Sequence, residues 1–79
     1  MLRKILVPIA HGTEEIEAVT IIDVLRRGGL EVWVAKVPRK LPDNQGLTCL
    51  MSRGVIMNAE RMIDDLPIES LDAIVLPGG

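Results

Sequence analysis

The feature that most constrains the fold is a nearly continuous apolar run, Lys4-Ile5-Leu6-Val7-Pro8-Ile9-Ala10. A strand with one solvated face alternates apolar and polar residues, whereas a parallel strand covered on both faces is apolar throughout. The run therefore predicts a parallel strand that is buried on both faces. Pro8 lacks a donor for the ladder and is tolerated because it lies near the end of the strand.

A helix follows this strand after a turn at residues 11–13. Acidic Glu14 and Glu15 suit its first turn, and Arg26 and Arg27 suit its last turn before Gly28-Gly29. One face is apolar, with Ala18, Ile21, Ile22 and Leu25. Residues 30–37 predict a second strand, which alternates more clearly than the first and is therefore expected nearer an edge of the sheet.

The rest of the chain predicts a loop at 38–46, a ribbon from 47–51 and 55–57, a short helix from Ala59 to about Leu66 capped by Asn58, and a strand at 72–76. This order predicts an α/β fold with an open, mostly parallel sheet. Ligands of such sheets bind beyond the carboxyl ends of the strands. Two segments are expected there, namely 11–17 and Pro77-Gly78-Gly79.

Composition excludes several classes of protein. The 79 residues are 48% hydrophobic, with 9 basic against 11 acidic side chains, which argues against disorder and against nucleic-acid binding. No apolar run is long enough to span a membrane, a single Cys excludes a disulfide framework, and a cytoplasmic location is expected. So short a chain with such buried strands is expected to be part of a larger domain.

Glu17 is the most informative candidate, because it lies at the edge of the apolar arc of the helix, close to the end of the first strand. Partial burial there would favour the protonated carboxyl, which can donate a proton. The alternative is that Glu17 reaches solvent or serves the helix N-terminus. Glu14 and Glu15 are interpreted as first-turn charges, His11 as a loop residue without a chemical role, and Cys49 as a buried structural thiol.

Other motifs are absent or point elsewhere. The first turn lacks GxGxxG and the chain lacks GKS or GKT, so neither a dinucleotide nor a P-loop site is expected. No spacing indicates a metal site, and neither Ser52 nor Ser70 lies in a nucleophile elbow. A final Gly78-Gly79 suggests a ubiquitin-like modifier, but that fold opens with a hairpin rather than with a strand and a helix.

Several segments together resemble the ThiJ/PfpI superfamily, and within it the Parkinson-disease deglycase (glyoxalase III-like) branch. These are residues 4–10, Gly12-Thr13-Glu14-Glu15-Ile16-Glu17-Ala18-Val19, residues 23–29, Ser52-Arg53-Gly54-Val55 and residues 72–79. The resemblance implies a flavodoxin-like (Rossmann-like) sandwich, a homodimer and cofactor-free chemistry at a reactive cysteine. It implies that Glu17 hydrogen-bonds that cysteine, that Gly78 and Gly79 shape the oxyanion site, and that Arg53 and Arg27 lie near the dimer interface or the site.

The family's cysteine lies beyond the Leu-Pro-Gly-Gly turn, so Cys49 is not its counterpart. Residues 1–79 are therefore expected to be the N-terminal segment of one domain, inactive without its C-terminal half, which could be a separate chain. The leading hypothesis is a glyoxalase or deglycase that acts on methylglyoxal or on glycated protein. A redox-sensing or chaperone-like dimer and a peptidase or amidase are the alternatives.

Overall fold

The computed structural model describes residues 3–39 and 45–79. The main elements are six strands and one helix, in the order β1 (Lys4–Ile9), α1 (Glu15–Arg27), β2 (Glu31–Lys36), β3 (Thr48–Leu50), β4 (Ile56–Asn58), β5 (Arg61–Met62) and β6 (Ala73–Ile74). Two 3-10 turns, at Ile63–Asp65 and Ile68–Ser70, lie between β5 and β6.

The main sheet has the strand order β5-β2-β1-β6, and every pairing in it is parallel. β1 is central and pairs with β2 along its whole length, from Lys4 opposite Glu31 to Ile9 opposite Lys36. This confirms the predicted βαβ unit and the buried first strand, in which Leu6 and Val7 are fully buried. β2 lies one strand in from the edge, because the two-residue β5 pairs with its outer side.

Helix α1 covers one face of this sheet and begins and ends close to the predicted limits. Glu14 is its N-cap residue and accepts a hydrogen bond from the Ile16 N–H at 3.1 Å, while Gly28 is the C-cap. The predicted apolar face is confirmed. Its members Ala18, Ile21, Ile22 and Leu25 pack in the core with residues of β1 and β2.

The predicted ribbon is confirmed, since β3 and β4 pair antiparallel with Cys49 opposite Met57. The predicted helix at 59–66 is wrong. The Glu60 N–H donates to the Val34 carbonyl at 2.8 Å, and its carboxylate accepts from the Val34 N–H at 3.1 Å, so this segment extends along β2. Asn58 does not cap a helix either, because it lies in β4 and its Oδ1 accepts from the Thr48 hydroxyl at 2.8 Å. Pairing with the open side of β2 thus stabilises an extended path for this segment in place of the predicted helix.

Lys36 joins the ribbon to the sheet. This residue is fully buried at the end of β2, and its Nζ donates to the carbonyls of Gly46 at 2.9 Å and Thr48 at 2.8 Å. A buried ammonium is tolerated only where such acceptors replace water. The Lys36 side chain therefore holds residues 46–48, which lead into β3, in place against the sheet.

Replacing Lys36 with methionine should lower the free energy of unfolding by about 2–4 kcal/mol, because two partly buried carbonyls lose a charged donor. The measurement is urea unfolding of the complete protein. Lys4→Met is the matched control, because Lys4 is only partly buried and lies over the Trp33 ring at 5.6 Å. Equal stability of the two variants would contradict the role given to Lys36.

Within residues 3–39 and 45–79, no helix has both the length and the apolar character needed to cross a bilayer.

Candidate functional site

Three segments meet beyond the carboxyl end of β1. The β1–α1 turn is central, and it contacts the turn of the ribbon on one side and residues 77–79 on the other. The Ser52 N–H donates to the Thr13 carbonyl at 3.0 Å, and the Glu14 N–H donates to the Gly78 carbonyl at 2.7 Å. The two segments expected at this edge of the sheet are therefore brought together, and the ribbon joins them.

Glu17 faces the C-terminal segment. Its Oε1 accepts a hydrogen bond from the Gly78 N–H at 3.2 Å, and the side chain is otherwise exposed among the described residues. The partial burial of Glu17 that the helical wheel predicts is thus not produced by the described residues. A Cβ at Gly78 would lie 2.9 Å from Glu17 Oε1, so glycine allows the backbone to approach the carboxylate this closely.

Gly79 packs against the β1–α1 turn. Its φ of +148° is one that side-chain-bearing residues rarely adopt, and a Cβ there would lie 2.6 Å from the Gly12 carbonyl oxygen and 2.7 Å from Thr13 Cα. These neighbours are backbone atoms and cannot rotate away. The Gly78-Gly79 peptide can therefore take this position only because residue 79 has no side chain.

Glu15 is the residue whose role the sequence interpretation missed. It is 7% exposed, and its carboxylate accepts hydrogen bonds from the Ser52 hydroxyl at 2.9 Å and from the N–H groups of Arg53 at 3.0 Å and Val55 at 3.2 Å. Burial alone would raise the pKa of this carboxyl, but the hydrogen bonds that it accepts outweigh burial and hold the pKa below its usual value.

No local signal identifies Glu15, because acidic residues are common in the first turn of any helix. On the helical wheel it lies opposite the apolar face, where a solvated side chain is expected. Its partners are 37 to 40 residues away in the sequence. The one usable hint is the Ser52-Arg53-Gly54 turn, whose N–H groups need an acceptor.

The remaining candidates lie at different distances from this junction. His11 Nδ1 accepts from the Leu50 N–H at 3.0 Å, so the ring helps to attach the ribbon. Cys49 is fully buried in the core, as expected for a structural thiol. The Arg53 side chain is exposed beside Glu15, whereas Arg27 pairs with Asp23 in the last turn of α1, about 15 Å along the helix from Glu17.

Among the described residues, no group of three or more His, Cys, Asp or Glu side chains converges as a metal site would require. The polar groups at the junction include carboxylates, backbone N–H and carbonyl groups, the Ser52 hydroxyl and the His11 ring. Such a set suits proton transfer and hydrogen bonding to a developing negative charge.

The parallel sheet and the junction at its strand ends define a flavodoxin-like α/β protein with its candidate site beyond β1. Comparison with known families agrees. A sequence model described as the DJ-1/PfpI family matches residues 3–79, and the chain belongs to this family. The resemblance found in the sequence is thereby confirmed.

Known relatives and structures share both sequence and fold with the chain. Protein DJ-1 homolog B of Arabidopsis thaliana is 44% identical over 77 residues, which are 98% of this chain and 16% of the relative. The structure of oxidized Toxoplasma gondii DJ-1 superposes with a TM-score of 0.84 at 48% identity, covering 98% of this chain and 39% of that one. Drosophila melanogaster DJ-1beta gives a TM-score of 0.85 at 35% identity, covering 100% and 39%. The chain thus spans less than half the length of these relatives.

Proposed function

We propose that residues 1–79 are the N-terminal part of a single catalytic domain of the glyoxalase or deglycase type. In this proposal a segment C-terminal to Gly79 supplies the nucleophilic cysteine, and a small aldehyde such as methylglyoxal is the substrate. The observation that carries the proposal is the Glu17 carboxylate beside the Gly78-Gly79 peptide at the strand ends. A carboxyl, which can transfer protons, is thereby held against the peptide whose Gly79 N–H the proposal assigns to oxyanion binding.

The exposed apolar surface beside β6 supports the assignment to a larger domain. Ile74 of β6 is 54% exposed, Leu76 is 72% exposed and Ile68 is 51% exposed. β6 pairs with β1 on one side only among the described strands. A further parallel strand and a covering helix from the C-terminal segment would bury these side chains.

The proposed reaction converts methylglyoxal and water to lactate without net oxidation or reduction. The cysteine thiolate attacks the aldehyde carbon, an S–C bond forms, and the carbonyl oxygen takes up a proton to give a hemithioacetal. A proton then leaves the former aldehyde carbon and another is delivered to the adjacent carbon, while the hydroxyl of the first carbon loses its proton and the ketone oxygen of the second gains one, which yields a lactoyl thioester. Water hydrolyses the thioester and restores the thiolate. Glu17 would relay protons, and the Gly79 N–H would stabilise the oxyanion.

A homodimer fits the apolar surface on the other side of the junction. Ile16 is 73% exposed, Val19 52% and Ile56 67%, and Val55 lies beside the first two. Arg53 precedes Val55 and Ile56 in the chain, and the proposal places it near the partner's site. No cofactor is required by this chemistry, and a cytoplasmic location stays a prediction.

The function is tested by incubating the complete protein with methylglyoxal and measuring lactate at steady state. Multiple turnovers per cysteine are expected without added cofactor, and alkylation of the thiol beforehand should abolish them. A complete, folded protein that forms no lactate would contradict the proposal.

A redox-sensing or chaperone-like role is the second candidate, since one of the similar structures is an oxidized form of a DJ-1. This role requires oxidation of the same cysteine, with the sulfinate accepting a hydrogen bond from protonated Glu17. It needs no turnover of aldehyde. Steady-state lactate formation would therefore favour the enzyme over this alternative.

A further inference from the structure

We propose that Glu15 is a positioning residue, whose ionised carboxylate holds the turn at 52–55 against the start of α1 and thereby fixes where Arg53 projects. Four oxygen contacts of 2.9 to 3.2 Å join this carboxylate to the Ser52 hydroxyl and to two backbone N–H groups of the turn. The role given to Arg53 rests on the proposed function, whereas the docking of the turn stands on these contacts alone.

Two carboxylates in the first turn of α1, those of Glu15 and Glu17, accept hydrogen bonds from segments on opposite sides of the junction. Glu15 accepts from the ribbon turn, while Glu17 accepts from the Gly78 N–H. Helical residues two positions apart point about 200° apart around the axis, so neither can replace the other. One helix end therefore aligns the ribbon turn and the C-terminal segment with each other.

The chemistry of the contacts requires a charge at Glu15. A carboxylate accepts at both oxygens, whereas a protonated carboxyl or an amide has a donor at one of them and would face an N–H with another hydrogen. Charged or titratable groups nearby are Glu14, which shares the Ser52 hydroxyl at 3.0 Å, and in the adjoining segments His11, Glu17 and Arg53. Among the hydrogen bonds of the described residues, none of these groups accepts from the Arg53 N–H.

The dependence on pH follows from the lowered pKa of Glu15. A carboxyl whose pKa is lower in the folded than in the unfolded protein stabilises the fold above its unfolded value, about 4.3. That contribution is lost as the pH falls through the folded value. The turn is therefore expected to stay docked at neutral pH and to be released in acid.

The first test is limited trypsin digestion of the complete protein, followed by mass spectrometry of the Arg53–Gly54 cleavage. Glu15→Gln should accelerate this cleavage roughly tenfold to a hundredfold, because the turn loses charge-assisted hydrogen bonds. Glu69→Gln is the matched control, with the same change of charge at an exposed residue outside the junction, and should cleave like wild type. Equal rates in the two variants would overturn the proposal.

A second test needs no substitution and decides the matter if Glu15→Gln does not fold. Each carboxylate has its own backbone reporter, since Ile16 N–H bonds to Glu14, Arg53 and Val55 N–H to Glu15, and Gly78 N–H to Glu17. In an NMR titration of the complete protein, the amide protons of Arg53 and Val55 should move with one common midpoint below about 4.3. Midpoints that differ, or amides that do not move, would refute the docking.

The route through Arg53 is tested by a double-mutant cycle on kcat/KM for methylglyoxal. If Glu15 acts by placing Arg53, then Glu15→Gln should have no further effect in an Arg53→Met background. Additive losses, or an Arg53→Met variant with wild-type kinetics, would overturn this route. A wild-type protein without turnover refutes the proposed function instead, and the digestion and titration still decide the docking.

Discussion

Gly79→Ala is expected to reduce kcat/KM for methylglyoxal by about 10²–10³-fold in the complete protein, the loss seen when one oxyanion donor is removed. The added Cβ would lie 2.6 Å from the Gly12 carbonyl oxygen and 2.7 Å from Thr13 Cα. Since both are backbone atoms of the β1–α1 turn, the Gly79 peptide itself has to move. Its N–H would then no longer point to the oxyanion position that the proposed function assigns to it.

Two measurements separate this displacement from a general loss of stability. Hydrogen exchange at the Glu14 amide should become faster, because this N–H donates to the Gly78 carbonyl at 2.7 Å and the bond is lost when the segment shifts. Gly29→Ala is the matched control, since Gly29 has a φ of +84° but no atom within 4 Å of an added Cβ. This control should lose about 1–3 kcal/mol of stability and keep its kinetics. Wild-type kinetics in Gly79→Ala would contradict the oxyanion role.

Glu17→Ala is expected to lower kcat/KM by about 10²–10⁴-fold and to raise the pKa of the reactive cysteine, because the thiolate loses its hydrogen-bond donor. The pKa is obtained from the pH dependence of thiol alkylation in the complete protein. An unchanged profile would exclude the proposed role of Glu17.

Glu17→Gln separates the two tasks of this side chain. Its amide oxygen can still accept from the Gly78 N–H, as the carboxylate does at 3.2 Å, but the amide cannot transfer a proton. Activity as low as in the alanine variant would assign the loss to proton transfer. Recovery to near the wild-type rate would instead show that Glu17 only positions the Gly78-Gly79 segment. Glu69→Gln, at an exposed residue outside the junction, controls for the change of net charge.

Local sequence patterns predict the elements in which apolar residues follow one another without a break or recur at a strict period. The apolar run at 4–10 predicts β1, and the face containing Ala18 and Leu25 predicts α1, because each pattern repeats over many residues. The segment at 59–66 shows where such patterns fail. Its composition allows a short helix, but the hydrogen bonds between Glu60 and Val34 stabilise an extended path instead.

The residues of the candidate site likewise fall into those that local sequence patterns indicate and those that they do not. The sequence places Glu17 and the Gly78-Gly79 turn at one edge of the sheet, because they follow strands whose carboxyl ends meet there, and the family resemblance implies their roles. Glu15 is not indicated, since the same residue type is equally suited to a solvated first turn. The ribbon turn makes Glu14 and Glu15 different, because it buries the Glu15 carboxylate and leaves the Glu14 carboxylate partly exposed.

The sequence by itself determined the parallel α/β architecture, the family and the place of the candidate site beyond β1. The architecture follows from hydrophobic periodicity and from glycine-containing turns, which are set by neighbouring residues, and the family follows from the resemblance of short segments to its motifs. Only the tertiary structure decided that Glu15 holds the Arg53 turn, that Lys36 is buried under the ribbon, and that residues 59–62 extend along β2. Each of these depends on partners at least ten residues away in the sequence, and donors and acceptors so distant are matched only when the chain has folded.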